Sequence, residues 1–111
     1  MAKVVHCKKS PFDLYIGRKN TKYHFGNIAS HQTGTLAPIR VQSREEAIKA
    51  FEDWLDGKAY QEIEPERRKW IIKRIPTIPQ DFTLGCWCSP QDCHGRILKE
   101  KIEEYGHTKT L

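Results

Sequence analysis

The chain has 111 residues, of which 38% are hydrophobic and 30% are charged, and its formal net charge is +5 at pH 7. This length suits one domain with one core, and the composition excludes collagen, low-complexity disorder and a membrane-spanning segment. The N-terminal residues show neither a long apolar stretch nor a small-residue cleavage site, so we expect a cytoplasmic protein. In that reducing compartment, the four cysteines are better explained as metal ligands, reactive groups or packing residues than as disulfides.

The positive charge is concentrated near the N-terminus. Residues 1–42 carry seven Lys or Arg against a single acid, Asp13, whereas the remaining residues carry twelve basic and thirteen acidic side chains. Aromatic residues, among them Tyr15, Tyr23 and Phe25, lie between these basic residues. Basic groups neutralise phosphates and aromatic rings stack on bases, so the pattern favours a nucleotide or nucleic acid as partner. The alternative is a soluble protein that merely has a high isoelectric point.

The first third of the chain contains two predicted strands and a long connection. Residues 3–7 are apolar enough for a short strand, and residues 13–18 alternate polar with apolar side chains, which predicts a second strand. Residues 19–38 show no regular periodicity. Because so long an irregular stretch is unusual in a compact domain, we predict a functional loop there.

Helical patterns occupy most of the rest. Ser43 and Glu46 have the spacing of a capping box, which predicts a helix that ends near Gly57. Pro65 fits the first turn of a second helix, which we expect to stop at Pro76. Residues 82–88 predict a buried central strand. A last helix is predicted over residues 93–105, with Asp92 as N-cap and Gly106 just past its end.

These elements predict an α/β fold, in which residues 1–111 form one small domain. The expected order is β-β-loop-α-α-β-α, with a short, mainly parallel sheet flanked by helices. Ligand sites in such sheets form at the carboxyl ends of the strands, where the following helix begins. The end of the predicted strand 82–88 is therefore the expected place of a functional site.

Three of the four cysteines lie at that place, in the segment Cys86-Trp87-Cys88 to Cys93-His94. Zinc is one interpretation, with Cys86, Cys88, Cys93 and His94 as the four ligands, although this spacing is not a standard zinc pattern. A reactive thiolate is a second interpretation, in which Cys93 or Cys88 is the nucleophile and His94 lies nearby. The start of the helix would lower the pKa of a thiol placed at Cys93. A third interpretation is packing, which is favoured for Cys86 alone.

Several segments resemble a family of small phage and bacterial proteins that is known only as a domain of unknown function. Its signature is Tyr-Ile-Gly-Arg, then Gly-Asn-Pro, then Cys-Trp-Cys-x-Pro-x-x-Cys-His-Gly. The chain carries these motifs at residues 15–18, 26–27 and 86–95, with Ile28 in place of the proline. The resemblance implies a location in the cytoplasm of a bacterium or a phage-infected host cell, together with a nucleotide-related role. It implies no particular reaction.

The leading hypothesis is therefore a nucleotide- or nucleic-acid-associated protein with a Cys/His site at a strand-to-helix turn. Cys93, His94 and Cys88 are the candidate catalytic residues, and base or glycosidic chemistry is the reaction class expected of an enzyme of this kind. Arg18 and the helix start would hold phosphate, and Asn27 would contact a base or sugar. The residues assigned to nucleotide or phosphate binding are Tyr15, Gly17, Arg18, Asn27 and Gly95.

The alternative hypothesis is a binding module without catalysis. In this case the protein would be a phage factor that binds a host protein or nucleic acid, and a zinc ion would stabilise a small core.

Overall fold

A computed structural model describes residues 3–19, 21–31, 37–87 and 93–110, with the backbone alone for residues 105–110. Its strands are β1 (Lys3–His6), β2 (Leu14–Tyr15), β3 (Ala29–Ser30), β4 (Ile39–Arg40) and β5 (Thr83–Cys86). Its helices are α1 (Arg44–Leu55), α2 (Pro65–Arg74) and α3 (Gly95–Thr110), and a short 3-10 turn follows α2 at Ile75–Thr77. The predicted α/β class and its parallel pairing are confirmed.

A three-stranded parallel sheet forms the centre of the fold, in the order β1-β5-β2. The backbone N–H of Ile16 continues the β2 pairing by donating to the carbonyl of Gly85 over 2.9 Å. The central strand is the most buried one, as predicted, and Leu84 has no exposed surface. Because all three strands run in the same direction, their carboxyl ends at His6, Tyr15 and Cys86 lie at one edge of the sheet.

The segment 19–38, predicted as an irregular loop, contains a strand. Ala29–Ser30 pairs in parallel with Ile39–Arg40, and Ile39 N–H donates to the carbonyl of Ile28 over 3.0 Å. A two-residue strand is too short to show the alternation by which a strand is recognised in a sequence. The prediction of an irregular loop was therefore wrong at residues 29–30.

Helix α1 packs on the second sheet with the face that its periodicity predicts. The Oγ of Ser43 accepts a hydrogen bond from Glu46 N–H over 3.1 Å, so the predicted N-cap is confirmed. The face turned to the core consists of small, aliphatic and aromatic side chains, all buried: Ala47, Ile48, Ala50, Phe51, Trp54 and Leu55. This packing fixes the N-terminal end of α1 close to β3.

Helix α2 agrees with the prediction, whereas helix α3 differs from it at both ends. Pro65 occupies the first turn of α2, as predicted, and Ile71 and Arg67 on this helix are buried. Helix α3 begins at Gly95, two residues after the predicted start, and it continues through Gly106 to Thr110. Glycine within a helix costs about 1 kcal/mol, which a helix tolerates when no proline follows. The predicted apolar stripe of α3 is confirmed at Ile97, Leu98 and Ile102, which are all buried.

In the described part of the chain, no helix has the length and the apolar character needed to cross a bilayer.

We expect Ser43→Ala to lower the free energy of unfolding by about 1 kcal/mol, because the N–H of Glu46 loses its acceptor. Urea unfolding followed by circular dichroism measures this change. Ser10→Ala is the matched control, since Ser10 is exposed and lies outside the helices. Equal midpoints for the two variants would contradict the capping role.

Candidate functional site

A cleft of about 280 Å³ opens at the carboxyl ends of β2, β3 and β5. Helix α1 supplies one wall, and the segment before α3 supplies another. The lining residues come from these elements, from the segment between β2 and β3, and from the segment between β3 and β4. They are Tyr15, Gly17, Arg18, Asn27, Ala29, Ser30, His31, Ala37, Arg44, Ala47, Ile48, Cys86, Trp87, Cys93 and His94. The cleft therefore lies at the edge of the sheet where the sequence analysis places the site.

The structure brings together most of the predicted site residues. Seven of them line this cleft: Tyr15, Gly17, Arg18, Asn27, Cys86, Cys93 and His94. Gly95 is not among the described lining residues, and Cys88 lies outside the part of the chain that the structure describes. The motifs of the sequence thus meet at one cleft, although they are separated by up to about seventy residues along the chain.

Tyr15 and Trp87 form the aromatic rim of the cleft. Trp87 Nε1 donates a hydrogen bond to the hydroxyl of Tyr15 over 2.7 Å, and Trp87 is 56% exposed. A Cβ atom at Gly17 would lie 2.2 Å from the Tyr15 hydroxyl oxygen, so the tyrosine ring needs glycine at that position. Burial raises the pKa of Tyr15, which keeps the phenol protonated near neutral pH.

Arg18 is fixed at the cleft by its backbone and carboxylate partners. Its Nε donates to the carbonyl of Asn27 over 3.1 Å, and its Nη2 donates to Glu64 Oε2 over 3.1 Å. Nη1 of Arg18 makes no hydrogen bond with any residue that the structure describes. The arginine thus keeps hydrogen-bonding capacity while its position is set by the protein.

Glu64 joins Arg18 to a second, deeply buried arginine. Glu64 Oε1 accepts from Nε of Arg67 over 2.6 Å, and Arg67 is only 2% exposed. Burial acts to raise the pKa of Glu64, but pairing with Arg67 and Arg18 outweighs it and lowers the pKa below its usual value. The backbone of Glu64 has φ of 41°, a left-handed conformation that is strained for a residue with a side chain.

Arg67 binds the loop that carries Asn27. Its Nη1 donates to the carbonyls of His24 over 2.9 Å and Gly26 over 2.7 Å. Its Nη2 is buried without a hydrogen-bond partner among the described residues, and the guanidinium lies 4.8 Å from the centre of the Trp54 ring. Two backbone carbonyls, a carboxylate and an aromatic face thus surround this buried charge.

Both heteroatoms of the Asn27 side chain are engaged within the protein. Nδ2 donates to the carbonyl of Ala47 in α1 over 2.8 Å, and Oδ1 accepts from the N–H of Ala29 over 3.0 Å. These bonds attach the loop to the helix that forms the opposite wall. The contact of Asn27 with a base or sugar stays a prediction. In the structure, the Asn27 side chain positions the loop against α1.

His94 is buried and connects two segments of backbone. Its Nε2 lies 2.8 Å from the carbonyl oxygen of Ile16 and 3.0 Å from that of Phe25. Both neighbours are acceptors, so Nε2 carries the proton and Nδ1 holds the lone pair. Burial lowers the pKa of His94 to about 4, and the imidazole is therefore neutral at pH 7.

The thiols of Cys86 and Cys93 lie side by side at the base of the cleft. Their Sγ atoms are 3.2 Å apart, and both residues are buried. Gly95 N–H donates to Cys93 Sγ over 3.3 Å, so this N–H already has an acceptor within the protein. A Cβ at Gly95 would lie 2.7 Å from Ile16 Cδ1, and glycine thus lets α3 approach the sheet closely. The assignment of Gly95 to phosphate stays a prediction.

The zinc interpretation depends on a residue that the structure does not describe. Within residues 3–19, 21–31, 37–87 and 93–104, no three His, Cys, Asp or Glu side chains are grouped so that they could hold a metal. Cys86, Cys93 and His94 belong to this part of the chain, and Nε2 of His94 is engaged with carbonyls. The zinc site expected from Cys86, Cys88, Cys93 and His94 includes Cys88, which lies outside the part of the chain that the structure describes, so zinc stays a prediction.

Three polar residues of the cleft were missed by the sequence analysis: Ser30, His31 and Arg44. Arg44 directly follows the predicted N-cap, and that position was a usable signal for the start of a helix. The role of Arg44 was missed because the sequence does not show that the start of α1 faces the end of β5.

The described lining of the cleft contains two arginines, two histidines and no carboxylate. Arg44 also lies in the first turn of α1, where the helix dipole adds partial positive charge. With an effective dielectric well below that of water, such a lining favours an anionic ligand. Its described nucleophiles and acid–base groups are two thiols, a phenol and the imidazoles.

Stability should fall as the pH is lowered from about 6.5 to about 4, because the unfolded chain binds protons that folded His94 and His24 do not. Each histidine should contribute about 2 kcal/mol to this loss between pH 7 and pH 4.5. His94→Gln should therefore show a shallower pH dependence, by about 2 kcal/mol, in urea unfolding experiments at a series of pH values.

The unmodified protein, unfolded in urea over the same series of pH values, is the reference for this experiment. Identical slopes for His94→Gln and the unmodified protein would show that His94 is not held neutral in the folded state.

Comparison with known proteins places the chain in a family whose biochemical role is not defined. No curated protein and no solved structure matches the chain significantly. The profile of one family matches residues 2–104, which is most of the chain. The motifs that surround the cleft lie within this match. The chain therefore belongs to DUF4326, a family described as a domain of unknown function.

Proposed function

We propose that the protein binds nucleotides, with one nucleotide unit held in the cleft at the sheet edge. The observation that carries this proposal is the composition of the described lining, which has two arginines, two aromatic residues at the rim and no carboxylate. A phosphorylated ligand with a flat ring matches both parts of this lining. The volume of about 280 Å³ is at the lower end of the range for ligand pockets and suits one small ligand.

The phosphate is assigned to Arg18 and Arg44. Arg18 is held by Glu64 and by the carbonyl of Asn27, so little side-chain entropy is lost when it binds an anion. Arg44 approaches from the other wall, on the first turn of α1. A guanidinium group offers paired donors, which match the geometry of phosphate oxygens.

The base is assigned to the aromatic rim. The hydrogen bond between Trp87 and Tyr15 fixes the orientation of both rings, and the indole leaves more than half of its surface exposed. Stacking on a fixed aromatic ring is worth about 1–3 kcal/mol per base and tolerates any base. This part of the proposal predicts weak discrimination among bases.

The proposal is one of binding. Glycosidic chemistry relies on carboxylates, and it stays a prediction because Asp92 lies outside the part of the chain that the structure describes. Buried thiols and a neutral imidazole lie at the base of the cleft, so base chemistry by Cys93, Cys88 and His94 stays a prediction. The zinc-stabilised binding module also stays a prediction. Metal analysis of the purified protein and of its Cys88→Ser variant tests it. The phage or bacterial setting likewise rests on the resemblance alone.

Thermal shift and calorimetric titration with the nucleoside 5′-monophosphates test the proposal. We expect the monophosphates to bind, with matching nucleosides and ribose 5-phosphate each binding more weakly. Arg18→Gln and Arg44→Gln should each lower affinity about tenfold or more, since a hydrogen bond to a charged group is worth about 1.5–3 kcal/mol.

Arg74→Gln is the matched control and should leave affinity unchanged, because Arg74 is exposed on α2 and stacks on Trp70. The melting temperature of each variant establishes that it is folded before affinities are compared. Nucleosides that bind as tightly as their monophosphates would overturn the phosphate assignment. Absence of binding by every monophosphate would overturn the proposal.

A further inference from the structure

The cleft continues, past Tyr15 and Trp87 of its lining, into an exposed surface. Trp87 stands at the junction, and its exposed ring contacts the ring of His6 edge-on at 5.7 Å. The ammonium group of Lys8 lies 5.3 Å from the Trp87 ring, and that of Lys19 lies 5.9 Å from the Tyr15 ring. We call this surface the Trp87 platform, formed by His6, Lys8, Phe12, Tyr15, Lys19 and Trp87.

The platform exposes aromatic carbon in an unusual amount for its size. Phe12 is 39% exposed, and its ring lies 6.1 Å from that of Tyr15. Leaving large aromatic rings in water forgoes the free energy of burying them, and such exposure marks interaction sites. The rings are also held in place by one another and by the hydrogen bond between Trp87 and Tyr15, so they are arranged before a partner arrives.

The charge of the surrounding segment is positive. Lys8, Lys9 and Lys19 are exposed, and Asp13 is the single acid in residues 1–42. Asp13 Oδ2 accepts a hydrogen bond from Thr83 N–H over 2.8 Å. The partner of the platform should therefore carry negative charge and flat rings together.

We propose that the Trp87 platform binds the nucleotides that flank the one in the cleft, so that the partner is a single-stranded nucleic acid. This inference rests on the proposed function, because the cleft supplies the first nucleotide subsite. A flanking base stacks on Phe12, next to the base that the Tyr15–Trp87 rim holds, and the phosphates between the two nucleotides pair with Lys8 and Lys19. In a duplex the base faces are already stacked on each other, so the platform selects against it.

Fluorescence anisotropy with a labelled oligothymidylate of about a dozen nucleotides tests the inference, since one such binding site covers about 4–16 nucleotides. Oligouridylate and oligodeoxyuridylate of the same length, a duplex of equal length and thymidine monophosphate complete the set. We expect the oligothymidylate to bind at least about tenfold more tightly than the monophosphate and the duplex, because each added stacked base contributes about 1–3 kcal/mol. Comparison of oligouridylate with oligodeoxyuridylate, which differ in the sugar alone, identifies which sugar is preferred.

Two variants separate the platform from the cleft. Lys8→Gln/Lys19→Gln should weaken oligonucleotide binding and lower the slope of log affinity against log salt by about 1.4, at about 0.7 per phosphate contact. It should leave monophosphate affinity unchanged, since neither lysine lines the cleft. Phe12→Ala should weaken oligonucleotide binding about tenfold through the lost stacking and leave monophosphate affinity unchanged, since Phe12 does not line the cleft.

Matched controls remove the same groups elsewhere. Lys58→Gln/Lys73→Gln removes two exposed positive charges outside the platform, and Tyr23→Ala removes a 43% exposed ring whose neighbour Lys22 lies 5.4 Å away. Both controls should bind the oligonucleotide as the unmodified protein does.

The outcomes distinguish this inference from the proposed function. If the oligonucleotide binds no more tightly than the monophosphate, or if the duplex binds equally well, the platform is not a single-strand site although the cleft still binds nucleotides. If Lys8→Gln/Lys19→Gln leaves oligonucleotide affinity and its salt slope unchanged, the inference is also overturned. If oligonucleotide binding depends on the platform but not on Arg18 or Arg44, the platform binds single strands by itself, and both the cleft proposal and the flanking arrangement fail.

Discussion

The cleft depends on how the carbonyl groups of an irregular backbone segment find hydrogen-bond donors. Buried carbonyls need partners, and residues 24–27 lie outside the strands and helices that would provide them. Side chains do so instead. Arg67 donates to the carbonyls of His24 and Gly26, and His94 donates to that of Phe25 and also to that of Ile16. Arg18 completes the set at Asn27. Three cationic or imidazole side chains from three parts of the chain thus fix the loop.

This arrangement explains why positive charge is kept beside a neutral imidazole. Arg67 and Arg18 share the carboxylate of Glu64, so the cluster retains one positive charge in excess. Burial, together with these two arginines, lowers the pKa of nearby His24 to about 4 and so holds it neutral. His94 stays neutral chiefly because it is buried. A buried ion pair is not in itself stabilising, and its value here is to fix the position of a loop and an arginine at the same time. The cleft therefore presents an arginine whose orientation is set before any ligand binds.

The sequence was informative where periodicity or capping is local. The face of α1, the cap at Ser43 and the central position of β5 follow from spacing alone, and the motifs at residues 15–18, 26–27 and 86–95 do meet at one cleft. Long-range polar contacts were not predictable. Nothing in the spacing of α2 indicates that Arg67 is buried against a loop about forty residues earlier in the chain, or that Glu64 pairs with Arg18. The wall formed by Arg44 was missed for the same reason, because it depends on how the layers pack.

The strand order carries a consequence for how the chain folds during synthesis. Both β1 and β2 pair with β5, which is the last strand of the chain, and not with each other. Strands β1 and β2 have no strand to pair with until residues 83–86 have left the ribosome. Until then, the aromatic and apolar side chains of the N-terminal third cannot pack against the central sheet.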